Sequence, residues 1–170
     1  RSSRSRTDYG FLMEEGKVKN KINEKEYTWI IDPIDGTLNF MNGIPYLAIS
    51  IALHHKDKII AGVVYDPVHN DFYWAEEGIG AYLNDQRLRV KNKKTLDKSI
   101  IALGIPFLGR GDHQQHIKIQ QAVMSKVAGL RRFGAASLDL AYVAAGRVDG
   151  FWEFGLSSWD VAAGIILVKE

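Results

Sequence analysis

The chain has 170 residues, 46% of them hydrophobic and 11% aromatic, enough to bury the core of one domain. Its formal net charge of +2, with acidic and basic residues interspersed, argues against nucleic acid or a membrane surface as the main target. Cysteine is absent, which excludes disulfides and thiolate metal sites; no run approaches the roughly 18 apolar residues of a membrane span, and RSSRSRTDYG has no signal-peptide core, so the sequence reads as a soluble cytoplasmic protein.

The polar, basic start initiates no element. FLMEEG (11–16) then places Glu14 and Glu15 after a short apolar run. WIIDPIDGTLNF (29–40) runs from Trp29-Ile30-Ile31 into two carboxylates, Asp32 and Asp35, three positions apart. An apolar run bounded by Pro and Gly predicts the end of a buried strand, with both aspartates in the turn at its carboxyl end and GTLNF opening a helix. Pro33 stiffens that turn, and Gly36 lets backbone approach a ligand. Two aspartates so close repel unless a cation sits between them. With oxygen ligands only, that cation is hard, and Mg²⁺ fits. The N–H groups of Gly36, Thr37 and Leu38 at the helix start suit a phosphate oxygen. The alternative is that Asp32 caps the turn and Asp35 caps the helix.

LAISIALHH (47–55), KIIAGVVYDP (58–67) and DFYWAEEG (71–78) are β-rich runs separated by turn-like HKDK and DPVHND, and they predict an antiparallel meander. GAYLNDQRLRV continues it, with Asn84-Asp85 at a hairpin tip. A short strand, IIALGI (100–105), precedes a Gly-rich polar loop. Ile119, Val123 and Val127 at i, i+4, i+8 then predict an amphipathic helix. His113 and His116 in GRGDHQQH have H-x-x-H spacing but no third ligand nearby, so they read as solvated surface rather than a zinc site. SLDLAYVAAGRVDG predicts a further helix, with Ser137 as N-cap and Gly146 as the C′ residue. SSWDVAAG places Asp160 at the start of an apolar helical segment, either as its N-cap or as a third carboxylate of a shared metal site. The chain stops at AAGIILVKE inside that segment. We read 1–170 as one domain with strands and helices interleaved, incomplete at both ends.

FLMEEG, WIIDPIDGTLNF, RRFGAASLDLAYVAAGRVDGFWE and SSWDVAAGIILV, in this order and spacing, resemble the successive signatures of the inositol monophosphatase family of Mg²⁺-dependent, lithium-sensitive phosphatases. The resemblance covers essentially the whole chain. It implies an α/β (α+β) fold, the layered αβαβα sandwich of sugar phosphatases, and a homodimer. It assigns the metal ligands to Glu14, Asp32, the Ile34 carbonyl, Asp35 and Asp160, and the orientation of the attacking water to Glu14 and Thr37. Asp35, Gly36 and Thr37 correspond to the phosphate cradle. Gly134, Ala135 and Ala136 match the segment that meets the substrate ring, and Glu153 the acid that binds a polyol hydroxyl. Many relatives carry Ser or Thr where this chain has Ala135, so a side-chain hydrogen bond is lost there.

The implied chemistry is phosphomonoester hydrolysis by metal-activated water, with two or three Mg²⁺ ions neutralising the phosphoryl oxygens and stabilising the leaving alkoxide. GRVDGFWE resembles the inositol-1-phosphatase branch more than the nucleotide branch, so inositol monophosphate is the favoured substrate, with fructose 1,6-bisphosphate and a nucleotide 3′-phosphate as the alternatives that the same metal core would serve. Some bacterial relatives also bind the transcription machinery, so an added role in association with RNA polymerase is the alternative that the resemblance leaves open. RSSRSR and Arg131-Arg132 read either as contacts for it, or as a solvated end and a buried, ion-paired couple.

Overall fold

The structure is a computed structural model and describes residues 9–15, 25–90, 95–106, 109 and 111–170. The basic RSSRSR segment lies outside the described residues. Ten strands and four α-helices follow one another as β1 (Tyr9–Met13), β2 (Tyr27–Asp35), α1 (Thr37–Met41), β3 (Ala48–His55), β4 (Lys58–Asp66), β5 (Asp71–Glu76), β6 (Gly80–Leu83), β7 (Gln86–Arg87), β8 (Ile100–Leu103), α2 (His113–Met124), β9 (Gly129–Arg131), α3 (Ala136–Ala144), β10 (Gly150–Trp152) and α4 (Ser158–Lys169) among the described residues. The architecture is α+β.

β1 to β7 form one sheet in chain order, with β1 parallel to β2 and every later pair antiparallel. The expected meander is there, and Asn84 takes φ 52° at the β6–β7 tip, a left-handed value that Asn tolerates. β10, β8 and β9 form a second, parallel sheet. α4 packs across β2 to β6, and α3 packs on α4, on the large sheet and on β10, so this helix pair lies between the two sheets.

The interface is built from small residues. Alternation along β3 points Ala48, Ser50 and Ala52 toward the helices, where Ala141, Ala144, Ala162 and Ala163 meet them. A side chain on Gly62 of β4 would come within 2.7 Å of Ile166 and 2.9 Å of the Ala163 Cα, so only glycine permits this close approach of α4. Leu138, Ile166, Leu167 and Tyr73 fill the remaining volume.

Three expectations need correction. α2 ends at Met124, so Val127 lies beyond it. α3 is entered through Ala135 rather than Ser137, which is its second residue, although Gly146 (φ 66°) is the expected C′ residue. Its N–H donates to Val143 O while Arg147 N–H donates to Tyr142 O, a Schellman closure. Third, β2 does not stop before the carboxylates but runs through Asp35.

Candidate metal centre

The strand reaches Asp35 because it carries an irregularity. Asp32 lies opposite Ser50 and Asp35 opposite Ala48, so three steps on β2 match two on β3. The extra residue shifts the alternation by one, and both aspartates end up buried. Pro33 withholds a ladder donor at this point, and Ile34 N–H donates instead to Asp32 Oδ1 at 3.0 Å. Asp32 therefore does cap the local turn, as the bland alternative has it. Asp35 does not cap α1, whose N-cap is Gly36 with φ 88° and no side-chain bond.

Asp160 comes from the other layer. It is the third residue of α4, and its Oδ2 accepts from Ser157 N–H at 2.6 Å, as in a capping box. Ser50 Oγ donates to Trp159 O at 3.2 Å and ties the start of α4 to β3. One carboxylate oxygen from each of Asp32, Asp35 and Asp160 lies within 4.8 Å of the other two.

Such crowding is costly for three carboxylates. Burial, then the charges of Asp35 and Glu14, push Asp32 up to about 8. Burial pushes Asp35 up to about 6, opposed by hydrogen bonds from Ser137 and reinforced by Asp160. Burial also raises Asp160, against its bond from Ser157. A hard divalent cation fits this donor set, since it would relieve the desolvation and the repulsion together.

The carboxylates face a cavity of about 560 Å³. Glu14 is exposed at the end of β1, lines the same cavity and lies outside the tight oxygen cluster; its backbone N–H donates to Ile31 O at 3.2 Å. Thr37 Oγ1 donates to the Ile34 carbonyl at 2.9 Å, so these two groups are already paired at the rim. Gly36 packs against the 134–135 segment: a Cβ there would stand 3.0 Å from Tyr46 O and 3.2 Å from Ala135 Cβ. Asn39, buried in α1, donates to Tyr46 O at 2.8 Å and Phe133 O at 2.9 Å and clamps these pieces together. Gly134 and Ala136 line the cavity, whereas Ala135 is 1% exposed and sits behind the lining. Glu153 follows β10 and is pushed up to about 7 by burial and then by Asp35, with Arg132 opposing.

Some participants were not read from the sequence. Ser137 donates both its N–H (2.7 Å) and its hydroxyl (2.6 Å) to Asp35 Oδ2. Tyr46 Oη donates at 2.7 Å to Asp139, which burial pushes up to about 8. Arg131 and Arg132 are both exposed, not a buried pair, and Arg132 lines the cavity. His116 is buried, not solvated: it lines the cavity, its Nε2 lies 3.2 Å from Gln120 Oε1, and its ring is tilted 6.5 Å from Trp152. His113 and His116 join no metal-binding group among the described residues.

The family model described as the inositol monophosphatase family matches residues 2–170. The chain is 52% identical over 169 residues to an inositol-1-monophosphatase of Mesorhizobium japonicum, covering 99% of this chain and 63% of that protein. It is 46% identical over 159 residues to a Nus factor SuhB of Pseudomonas aeruginosa, covering 92% and 59%. The crystal structure of extragenic suppressor protein suhB from Bartonella henselae superposes with a TM-score of 0.91 at 48% identity, covering 99% of this chain and 64% of that one. The chain thus spans less than two thirds of the length of each of these relatives.

Proposed function

The chain belongs to the inositol monophosphatase family, and from that premise we propose that the protein is a Mg²⁺-dependent phosphomonoester hydrolase acting on inositol monophosphate. One observation carries this reading: Asp32, Asp35 and Asp160 converge from two layers on a cavity that Glu153 also lines. Glu14, Asp32, the Ile34 carbonyl, Asp35 and Asp160 would hold two or three Mg²⁺ ions. When bound, these supply charge neutralisation at the phosphoryl oxygens and a more acidic water.

The remaining chemistry falls to the chain. Glu14, exposed at the cavity mouth, and Thr37, at the rim, orient the attacking water, and Glu14 accepts its proton. The N–H groups of Gly36 and Thr37 donate to phosphate oxygens. Gly134 and Ala136 pack against the polyol ring. Glu153 accepts hydrogen bonds from ring hydroxyls, which sets substrate choice. Phosphate release from inositol monophosphate, compared with an aryl phosphate and a sugar bisphosphate, tests the assignment; a preference for the bisphosphate would overturn it.

No helix among the described residues is long and apolar enough to cross a membrane; we place the protein in the cytoplasm as a homodimer, and as lithium-sensitive like its family. A second reading, association with RNA polymerase, is supported by the relative named Nus factor SuhB and by the exposed Arg131-Arg132 pair. Capture of RNA polymerase by the wild-type protein but not by an Arg131→Ala/Arg132→Ala variant tests it; equal capture by both, or none by either, counts against it.

A further inference from the structure

Ser137 has no part in the chemistry above, yet it is fully buried and spends both of its donors on one atom. We propose that Ser137 is a positioning residue for the metal centre: by filling Asp35 Oδ2 it holds the carboxylate in one orientation and leaves Oδ1 as the oxygen offered to a cation. The proposal rests on the reading of Asp32, Asp35 and Asp160 as a metal site.

The geometry is that of a displaced helix cap. Ala135 occupies the N-cap of α3 and has no side-chain oxygen to offer the first turn. Asp35, 102 positions earlier, takes that place and accepts from the N–H of the second helical residue, the donor an N-cap side chain would normally satisfy. Helix N-termini favour negative charge, so α3 holds this carboxylate electrostatically as well as by hydrogen bonding. The Ser137 hydroxyl then adds the second bond. At 2.6 Å it has the length of an O–H donating to an ionised carboxylate, which can only accept.

A carboxylate oxygen has two lone pairs, and Oδ2 spends one on each Ser137 donor. Both donors belong to one residue of a helix packed between the sheets, so the plane of the carboxylate is set by α3 rather than by the loop that follows β2. Without the hydroxyl, only the backbone N–H groups of Ser137 and Ala136 hold the carboxylate, and the side-chain bond that fixes its plane is gone. Residues that orient a ligand from behind are commonly worth about 10-fold to 100-fold in metal affinity.

The test is Mg²⁺ calorimetry on the whole protein and its Ser137→Ala variant, with metal-free melting and steady-state kinetics alongside. Alanine keeps the N–H and suits a helix, so the variant should fold. The expected result is a Mg²⁺ dissociation constant raised about tenfold or more, a higher Mg²⁺ requirement for turnover, an unchanged KM for inositol monophosphate at saturating Mg²⁺, and metal-free melting close to wild type. Unchanged Mg²⁺ affinity overturns the proposal, whether or not the melting temperature falls. If the wild type itself takes up no Mg²⁺, the metal reading fails and Ser137's role fails with it. Mg²⁺ uptake that is equal in both proteins sinks Ser137 alone.

Discussion

Glu153 fills the space that a side chain on Gly104 would occupy: a methyl group there would overlap its carboxyl. Gly104 follows β8, and its N–H donates to Trp152 O at 3.0 Å, which holds the two segments side by side. Bare backbone at Gly104 is therefore what lets a carboxylate stand at this wall of the cavity. Glu153→Ala should lower kcat/KM for inositol monophosphate by about tenfold or more, since each hydrogen bond to a charged group is worth about 1.5–3 kcal/mol. An aryl phosphate, with no hydroxyl to offer, should be little affected. Gly104→Ala should act in the same direction by displacing Glu153. Equal losses on both substrates would refute a specificity role.

Asp35→Asn should reduce turnover by orders of magnitude while the fold survives. An Asn amide oxygen can still accept from the Ser137 N–H and hydroxyl, so the α3 cap is kept, and one of the crowded charges is gone. Circular dichroism melting without metal should show no loss of stability. Near wild-type turnover would contradict a shared site.

The crowded carboxylates also set a pH dependence. Asp32 (about 8) and Asp35 (about 6) are raised above the 3.8 expected for a free Asp. The folded protein thus binds more protons than the unfolded chain, and stability falls as pH rises. For the metal-free protein this contribution is complete below about pH 4 and lost as pH climbs through about 6 for Asp35 and about 8 for Asp32. Melting temperature in chelator should decline over that window, and the rise produced by Mg²⁺ should grow across it, because fewer protons must be displaced. A metal-free melting temperature that rises steadily from pH 5 to 8 would show the carboxylates to be stabilised by something other than protons.

Much of this was legible in the sequence, and the limits have a physical pattern. The β3–β6 meander shows in period-two alternation, and Asp32, Asp35 and Asp160 show because each ends an apolar approach. The irregularity in β2 is marked only by Pro33, which in the sequence reads as the stiff turn that ends a strand rather than as a bulge in one that continues. Ser137 reads as an N-cap because serine so often is one; its real acceptor lies 102 positions away and only packing brings it there. The same holds for Gly104 beneath Glu153 and for His116, whose polar neighbours in GRGDHQQH suggest solvent while the cavity wall buries it.

Gly36 should resist substitution for two separate reasons. Its φ of 88° lies where an L side chain costs about 1–2 kcal/mol, and a Cβ would crowd Tyr46 O at 3.0 Å. Gly36→Ala should therefore lower stability by roughly that amount or more, read as a shift in the denaturant midpoint, and should weaken phosphate binding by moving the Thr37 N–H. A variant as stable and active as wild type would remove Gly36 from the cradle.

Asp32, Asp35 and Asp160 are proposed to form one Mg²⁺ centre that hydrolyses a phosphomonoester. The most direct test is phosphate release from inositol monophosphate as a function of Mg²⁺, for the wild type and for Asp160→Asn, which alters the proposed ligand supplied by α4. We predict no release by the chelated wild type, recovery on addition of Mg²⁺, and a loss of about a hundredfold or more in the variant at every Mg²⁺ concentration. Release that continues in chelator, or an Asp160→Asn variant that turns over like the wild type, would contradict the claim.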